Sequence, residues 1–320
     1  MPPREPAVRG PERALPADVE RLNRLFSDAF SDRYQRDGMT GVRVPLLNPA
    51  IWRFAIATAG DGALVWRDQS GALVAFNMVH RSGSEGWMGP LAVRPDRQGE
   101  GLGIAIVRAG IERLEQVGVR TIGLETMPRT VENIGFYSRL GFRPGHLTVS
   151  LTRELGRPSP GPGERLSAAG SRLEDRLAQC ADLTSRLVPG ADYTRELELT
   201  VVQGLGDATL LADAKEVTAY ALWHSAPLAE GRGPDEVRVL KLVADDLPTF
   251  RRLLGAVEAH AAEERARRLG IRCQTAFRDA YAALVDAGYR VHWTDLRMTL
   301  DGRGELPPRN GAILFSNWEI

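Results

Sequence analysis

Three glycines, Gly99, Gly101 and Gly103, follow a short apolar stretch and open a helical pattern, an arrangement able to hold an anion. The run reads Leu91-Ala-Val-Arg-Pro-Asp-Arg-Gln98-Gly-Glu-Gly101-Leu-Gly103. Upstream, Trp87-Met-Gly-Pro-Leu91-Ala-Val93 has the composition of a strand, ended by Pro95 and Asp96. Downstream, Ile104, Val107, Ile111 and Leu114 recur at helical spacing, with Arg108, Glu112, Arg113 and Glu115 on the other face. That spacing predicts an amphipathic helix with one buried stripe. Glycine lets a backbone take positive φ and come close to a ligand. The first N–H groups of a helix have no partner inside it, and its dipole is positive there. Two common phosphate loops are excluded by residue type. The nucleoside-triphosphate loop needs Lys-Ser/Thr after its last glycine, where Ile104 stands here; the dinucleotide fingerprint needs G-x-G-x-x-G, and these glycines run G-x-G-x-G.

The pattern that is met is (Gln/Arg)-x-x-Gly-x-(Gly/Ala), at Gln98, Gly101 and Gly103. It resembles the acetyl-CoA pyrophosphate loop of the GNAT superfamily of acyltransferases. A second signature of that family follows as Phe136-Tyr137-Ser-Arg-Leu140-Gly141-Phe142, after an intervening helix and the strand Arg120-Thr-Ile-Gly-Leu-Glu125. The resemblance implies acetyl-CoA as co-substrate, no metal, and direct attack by an amine in a ternary complex. It assigns the pyrophosphate to the backbone of Gln98, Gly99, Glu100, Gly101, Leu102, Gly103 and Ile104. Leu91, Ala92 and Val93 would pair with the pantetheine amides, and an N–H near Leu91 would meet the thioester oxygen as it gains charge. Asn133 is carried over weakly, because Thr130 stands where the family often has its pantetheine-binding Asn.

Acyl transfer to an amine needs a proton donor for the leaving thiolate and an acceptor for the ammonium proton. Tyr137 is the candidate donor: a phenol of pKa ~10 is protonated at neutral pH and can protonate a thiolate whose acid lies near ~8.5. The plainer alternative is a packing aromatic between Phe136 and Phe142, and the donor role is preferred to it. A primary amine of pKa ~10.4 is neutral in about one part in 10³ at pH 7, so a base is required. Glu125, at the end of its strand, ranks first; His80, Glu85 or a water chain are the alternatives.

Around these residues, 17–30 reads as a helix, 31–45 as a loop, which the resemblance implies would wall the acceptor pocket, and Asn48-Pro49 as a second helix start. Strands are predicted at 62–67 and 71–79, with the last of the first half at 148–151. Arg157-Pro-Ser-Pro-Gly-Pro-Gly163 reads as a linker. The remainder repeats the first half in degenerate form: Gly206-Asp-Ala-Thr-Leu210 answers Gly60-Asp-Gly-Ala-Leu64, Arg268-Leu-Gly-Ile-Arg272 answers Gln116-Val-Gly-Val-Arg120, and Asp286-Ala-Gly288 answers Arg139-Leu-Gly141. The expected fold class is α/β (α+β): two tandem GNAT folds, each a mixed, mostly antiparallel sheet flanked by helices. The expected division is a catalytic domain at 1–155, a linker at 156–165, a degenerate domain at 166–300 and a tail at 301–320. In the second copy the glycine loop is replaced by Ala244-Asp-Asp246-Leu-Pro248-Thr-Phe250, with Asp245 or Asp246 as cap, and Leu284 stands opposite Tyr137. That copy is expected to close the acceptor cleft or to form a homodimer contact. The apolar tail, residues 311–318, is expected to add a strand.

Acidic and basic residues balance at 41 each, so no global field points to nucleic acid or an anionic membrane. All basic residues but Lys215 and Lys241 are arginine, which genomic codon bias explains without a binding role. Two distant cysteines without metal spacing suit a reducing cytoplasm. The N-terminus has no signal-peptide core, and no apolar run reaches spanning length. The expected acceptor is a small-molecule amine, with a protein lysine or N-terminus as the alternative. A non-catalytic acyl-CoA sensor is the reading from another class.

Overall fold

The computed structural model describes residues 8–156, 161, 163–213 and 216–318. Residues 157–160 and 162 of the expected linker, the lead at 1–7 and Lys215 lie outside that set. The first half runs β1 Val8–Arg13, α1 Val19–Arg36, α2 Pro49–Ala59, β2 Ala63–Asp68, β3 Leu73–Ser82, β4 Glu85–Val93, α3 Leu102–Gln116, β5 Thr121–Thr126, α4 Val131–Arg139 and β6 Phe142–Glu154. The second runs β7 Glu164–Arg165, α5 Leu173–Leu187, α6 Thr194–Val202, β8 Gly206–Ala212, β9 Val217–His224, β10 Glu236–Ala244, α7 Leu247–Glu263, β11 Arg268–Gln274, α8 Arg278–Asp286, β12 Arg290–Leu300 and β13 Ile313–Ser316. The two runs follow the same order of elements.

All the strands join one sheet, in the order β1-β2-β3-β4-β5-β12-β6-β11-β10-β9-β8-β7, with β13 on β10. Pairing is antiparallel except at β4–β5 and β10–β11. Beside β5 stands β12 of the second half, and beside β11 stands β6 of the first. The halves have thus exchanged their last strands, which also pair with each other from Arg290↔Thr152 to Leu300↔Phe142. Each half therefore has its sheet completed by the other.

Alternating strand residues bury against helices on both faces. In the first half, Val65 and Phe76 meet α1 and α2, where Trp52 is fully buried; Leu64, Ala75 and Met88 meet α3 and α4. In the second half, Leu210 and Tyr220 meet α5 and α6; Ala219, Ala221 and Trp223 meet α7 and α8.

Several expectations are corrected. Helix α1 does not stop at residue 30 but runs to Arg36, carried by the Arg36–Asp32 and Arg33–Asp37 ion pairs, 2.9 and 2.6 Å at i,i+4 spacing. The buried stripe of α3 is Ile106, Val107, Gly110 and Leu114; Ile104 is exposed. Gly110 turns the helix this way: a Cβ there would lie 2.4 Å from Met88 Sδ, so its absence lets α3 approach β4. The match of Arg268–Arg272 to Gln116–Arg120 is displaced. Arg268 pairs with Glu236 as Thr121 pairs with Glu85, so Arg268 is equivalent to Thr121. The glycines that suggested the match do different jobs, Gly118 at a turn with φ 70° and Gly270 inside β11. The pairing of Gly141 with Gly288 holds, φ 94° and 90°, each just before an exchanged strand.

Candidate active site

β4 pairs with β3 as far as Ala75↔Val93, but with β5 only from Glu85↔Thr121 to Met88↔Leu124. Beyond Met88 the two strands part. Leu91, Ala92 and Val93 therefore show β5 a backbone edge that pairs with no strand among the described residues, the setting an extended amide chain needs.

At the far end of that edge, Gly99 and Gly101 hold φ of 85° and 84°, a region costly for other residues. Gly101 is the N-cap of α3 and offers no side-chain cap. Among the described residues, the amides of Gly99, Glu100, Gly101, Leu102 and Gly103 meet no acceptor. The amide of Ile104 differs from that group, since it donates to the Gly101 carbonyl at 3.1 Å. Gln98 is a tie rather than a free donor: its Nε2 donates to the Val93 carbonyl at 3.2 Å and its Oε1 accepts from Arg36 at 3.2 Å. Glu100, the one acid in the turn, is paired to Arg97 at 2.8 Å, which lowers its carboxyl and offsets its charge. Free amides, a helix dipole and a neutralised acid suit a diphosphate.

Tyr137 packs on α4 among Phe136 and Phe142, ring centroids 5.1 and 6.2 Å away, and is 6% exposed. Its hydroxyl has no hydrogen-bond partner among the described residues. Burial pushes the phenol well above its ordinary value. Asn133, one turn earlier on α4, donates to Thr126 Oγ1 at 3.5 Å, and Thr130 donates to Asp37 at 2.5 Å.

Glu125 lies beyond the point where β4 and β5 part, and its carboxylate is engaged. Thr148 donates to Oε1 at 2.6 Å, Arg297 to Oε1 at 2.8 Å, and Arg272 to Oε2. Burial would raise this carboxyl, but Arg272 and Arg297 outweigh it and hold it below the ordinary value. That is the environment of a fixed counter-ion rather than of a proton acceptor. His80 is buried, down at about 3 through burial and the nearby Lys241, and its Nε2 lies 3.1 Å from the Gly89 carbonyl. Glu85 is buried too, accepting from Tyr193 at 3.0 Å and Ser316 at 2.9 Å.

A cavity of about 740 Å³ begins at Gly89 and Pro90, beside the open edge. Phe30 and Tyr34 of α1 line it, as do Glu125, Asp295 and Arg297, together with residues of the 227–239 segment of the second half. Tyr34 belongs to the stretch expected to be loop, and it reaches the cavity from a helix. Asp295 was not singled out in the sequence, because its place beside β5 follows from the strand exchange.

Residues 19–142 match the family model described as the acetyltransferase (GNAT) family. This stretch of the first half is similar to the GNAT acetyltransferases. The chain is 32% identical over 126 residues to a mycothiol acetyltransferase of Actinosynnema mirum, covering 39% of this chain and 41% of that one. It is 36% identical over 74 residues to the ribosomal protein bS18-alanine N-acetyltransferase of Escherichia coli, covering 23% of this chain and 50% of the relative. The chain thus spans half or less of the length of these relatives. Across both halves, the fold is shared with the crystal structure of a putative acetyltransferase from Pyrococcus horikoshii, TM-score 0.68, 18% identity, covering 98% of this chain and 94% of that one.

The second half differs at each part of the site. Its helix α7 is capped by Asp246, which accepts from the Thr249 amide at 2.8 Å where the first half leaves free amides. Leu284 is fully buried in the place of Tyr137. Its β10 and β11 also part, after Val239↔Ile271, but β13 fills the gap, pairing Ser316 to Ile313 with Lys241 to Ala244. By register, Leu242 to Ala244 answer Leu91 to Val93. Beyond β13, the Asn317 amide donates to the Leu240 carbonyl and its side chain to the Arg272 carbonyl, 2.9 and 2.8 Å. The chain's own tail thus lies along the edge that its counterpart leaves open.

Proposed function

We propose that the first half transfers the acetyl group of acetyl-CoA to a small-molecule amine held between the halves. The observation that carries this is continuity: the unpaired edge of Leu91–Val93 ends at free loop amides one way and at the 740 Å³ cavity the other. A volume of that order suits a small molecule, and walls from both halves leave little room for a polypeptide. The mycothiol relative supports a small acceptor.

Acetyl-CoA, when bound, supplies an activated acyl group as a thioester. Gly99 to Gly103 would hold its diphosphate through their amides, and Leu91 to Val93 would align its amide-bearing arm. An N–H near Leu91 would stabilise charge on the carbonyl oxygen. Tyr137, kept protonated by burial and free of other partners, would deliver a proton to the leaving sulfur. Glu125 would stay ionised and hold Arg272 and Arg297 in place. Both free thiols are buried and raised to about 12, which fits direct attack rather than an acyl-cysteine. The two unpaired cysteines support a reducing, cytoplasmic setting; no described helix is long and apolar enough to cross a membrane.

The test is thiol release from acetyl-CoA across a panel of small amines and peptides. Turnover on a small amine supports the proposal. Turnover confined to peptides would move the acceptor to a protein, and binding without any turnover would leave a sensor.

A further inference from the structure

Glu125 and Asp295 share Arg272 in the lining of the cavity, and their surroundings pull them apart. Arg272 reaches Glu125 Oε2 and, at 3.0 Å, Asp295 Oδ2. The other Asp295 oxygen accepts from Trp293 Nε1 at 3.1 Å. Each Asp295 oxygen thus has one donor, whereas Glu125 receives three donors on two oxygens. Asp295 also lines the cavity, with 17% of its side chain exposed. Beside it stand the rings of Trp293 and Tyr34, 6.3 Å apart, aromatic surface of the kind that favours a cation.

We propose that Asp295, carried to the first half's site on the exchanged strand β12, seats the primary ammonium of the acceptor and takes its proton. The proposal rests on the acetyl-transfer reading and supplies the proton acceptor that Glu125 cannot. The N–H bond of the ammonium breaks, its electron pair stays on nitrogen, and the proton joins an Asp295 oxygen. The nitrogen then bonds to the acetyl carbon as the C–S bond breaks. Sulfur takes a proton from Tyr137, which is refilled by a second proton from nitrogen, so amide and thiol form with one proton left for solvent.

Burial raises the Asp295 carboxyl above its ordinary value, against the pull of Arg272, while the partner carboxyl of Glu125 is lowered. Two carboxyls pushed in opposite directions are the pattern of a divided acid–base pair. The ionisable groups around Asp295 are Tyr34 on α1, Glu125 on β5, Arg272 on β11, and Arg297 and His292 on its own strand. Thr148 and Ser150 on β6 are uncharged; Asp235, Glu236 and Arg238 also line the cavity. The role gives the second half a function: it contributes a reacting carboxylate to a site it cannot form alone.

The experiment compares wild type, Asp295→Asn, Asp295→Glu and His292→Gln in thiol release with benzylamine and 1,4-diaminobutane. Asparagine keeps the size and its one carbonyl oxygen can still accept from either Trp293 or Arg272, and thermal melting checks that the fold persists. For Asp295→Asn, kcat/KM for the amine falls on the order of 10²-fold and the acid limb of its pH profile disappears. Acetyl-CoA affinity by calorimetry stays unchanged, Asp295→Glu restores part of the rate, and His292→Gln keeps the limb. An intact acid limb or a rate within about threefold of wild type overturns the proposal. Should wild type turn over neither amine, the transfer reading fails with these acceptors, and calorimetric binding of 1,4-diaminobutane to the CoA-loaded protein still decides the seat. Equal affinity in wild type and Asp295→Asn, including no binding in either, would refute it.

Discussion

Glu125 and Arg272 occupy the same position in the two halves and are bonded to each other. Each follows the last residue of its strand that pairs with the parting neighbour, Leu124 on β5 and Ile271 on β11. The strands between them, β12 and β6, are those the halves exchange. The repeat thus brings equivalent positions face to face, and the sequence has made one an acid and the other a base. The carboxylate in the working half is consequently a joint between halves.

Gly101→Glu is expected to abolish acetyl-CoA binding. The φ of 84° is strained for any side chain, and a carboxylate there would face the diphosphate. Gly101→Ala, with open space around the added carbon, keeps the fold and loses about tenfold in affinity through strain of ~1–2 kcal/mol. Calorimetry on both variants checks this; unchanged affinity in the glutamate variant would place the diphosphate elsewhere.

Tyr137→Phe is expected to lower kcat by about 10²-fold, the lower end of the range for proton donors, with acetyl-CoA affinity intact. Since burial raises this phenol, it stays protonated through neutral pH and adds no alkaline limb below its ordinary value of 10. Steady-state rates against pH test both points. A variant as fast as wild type would make Tyr137 a packing residue, held by Phe136 and Phe142.

The loop at 98–103 was legible because backbone chemistry leaves a mark in the sequence: amides can approach an anion only where glycines allow it. The lost loop was legible for the converse reason, since Asp246 and Pro248 spell an ordinary helix start. The strand exchange was not. β6 and β12 follow equivalent helices, and either could pair with β5 or β11 without changing which residues face the core. Asp295 was hidden with it. Helix α1 past residue 30 was missed because its extra turns are held by ion pairs and carry no apolar period. The tail showed its strand character in Ile313 to Phe315, but its berth depended on the gap between β10 and β11.

One acetyl-CoA is expected per chain, although the fold repeats. In the second half β13 lies along the edge of β10, and Asp246 occupies the Thr249 amide in the first turn of α7. A carboxylate at that point would repel a diphosphate as well as displace it. Calorimetry or native mass spectrometry gives the stoichiometry, and a value of two would mean that the tail leaves its slot when ligand arrives.

Lys241 pins that tail and makes stability depend on pH in an unusual direction. Its Nζ donates to Ser316 at 3.0 Å, sits 3.9 Å over the Trp318 ring and 4.7 Å from Tyr193, and lies 4.0 Å from Glu196. Burial lowers its pKa to about 8 from an ordinary 10.5, with Glu196 and Glu85 opposing the fall. Below about 8 the folded and unfolded chains both hold the proton. Between about 8 and 10.5 the unfolded chain binds a proton that the folded one has released, so this residue's contribution to stability rises with pH across that window. Lys241→Met is expected to cost about 3–5 kcal/mol at neutral pH, because Glu196 and Glu85 lose their buried partner. It should also remove the rise, so the gap between wild type and variant in urea unfolding widens as pH climbs through the window. A gap that stays constant or narrows would show that Lys241 keeps its proton in the folded protein.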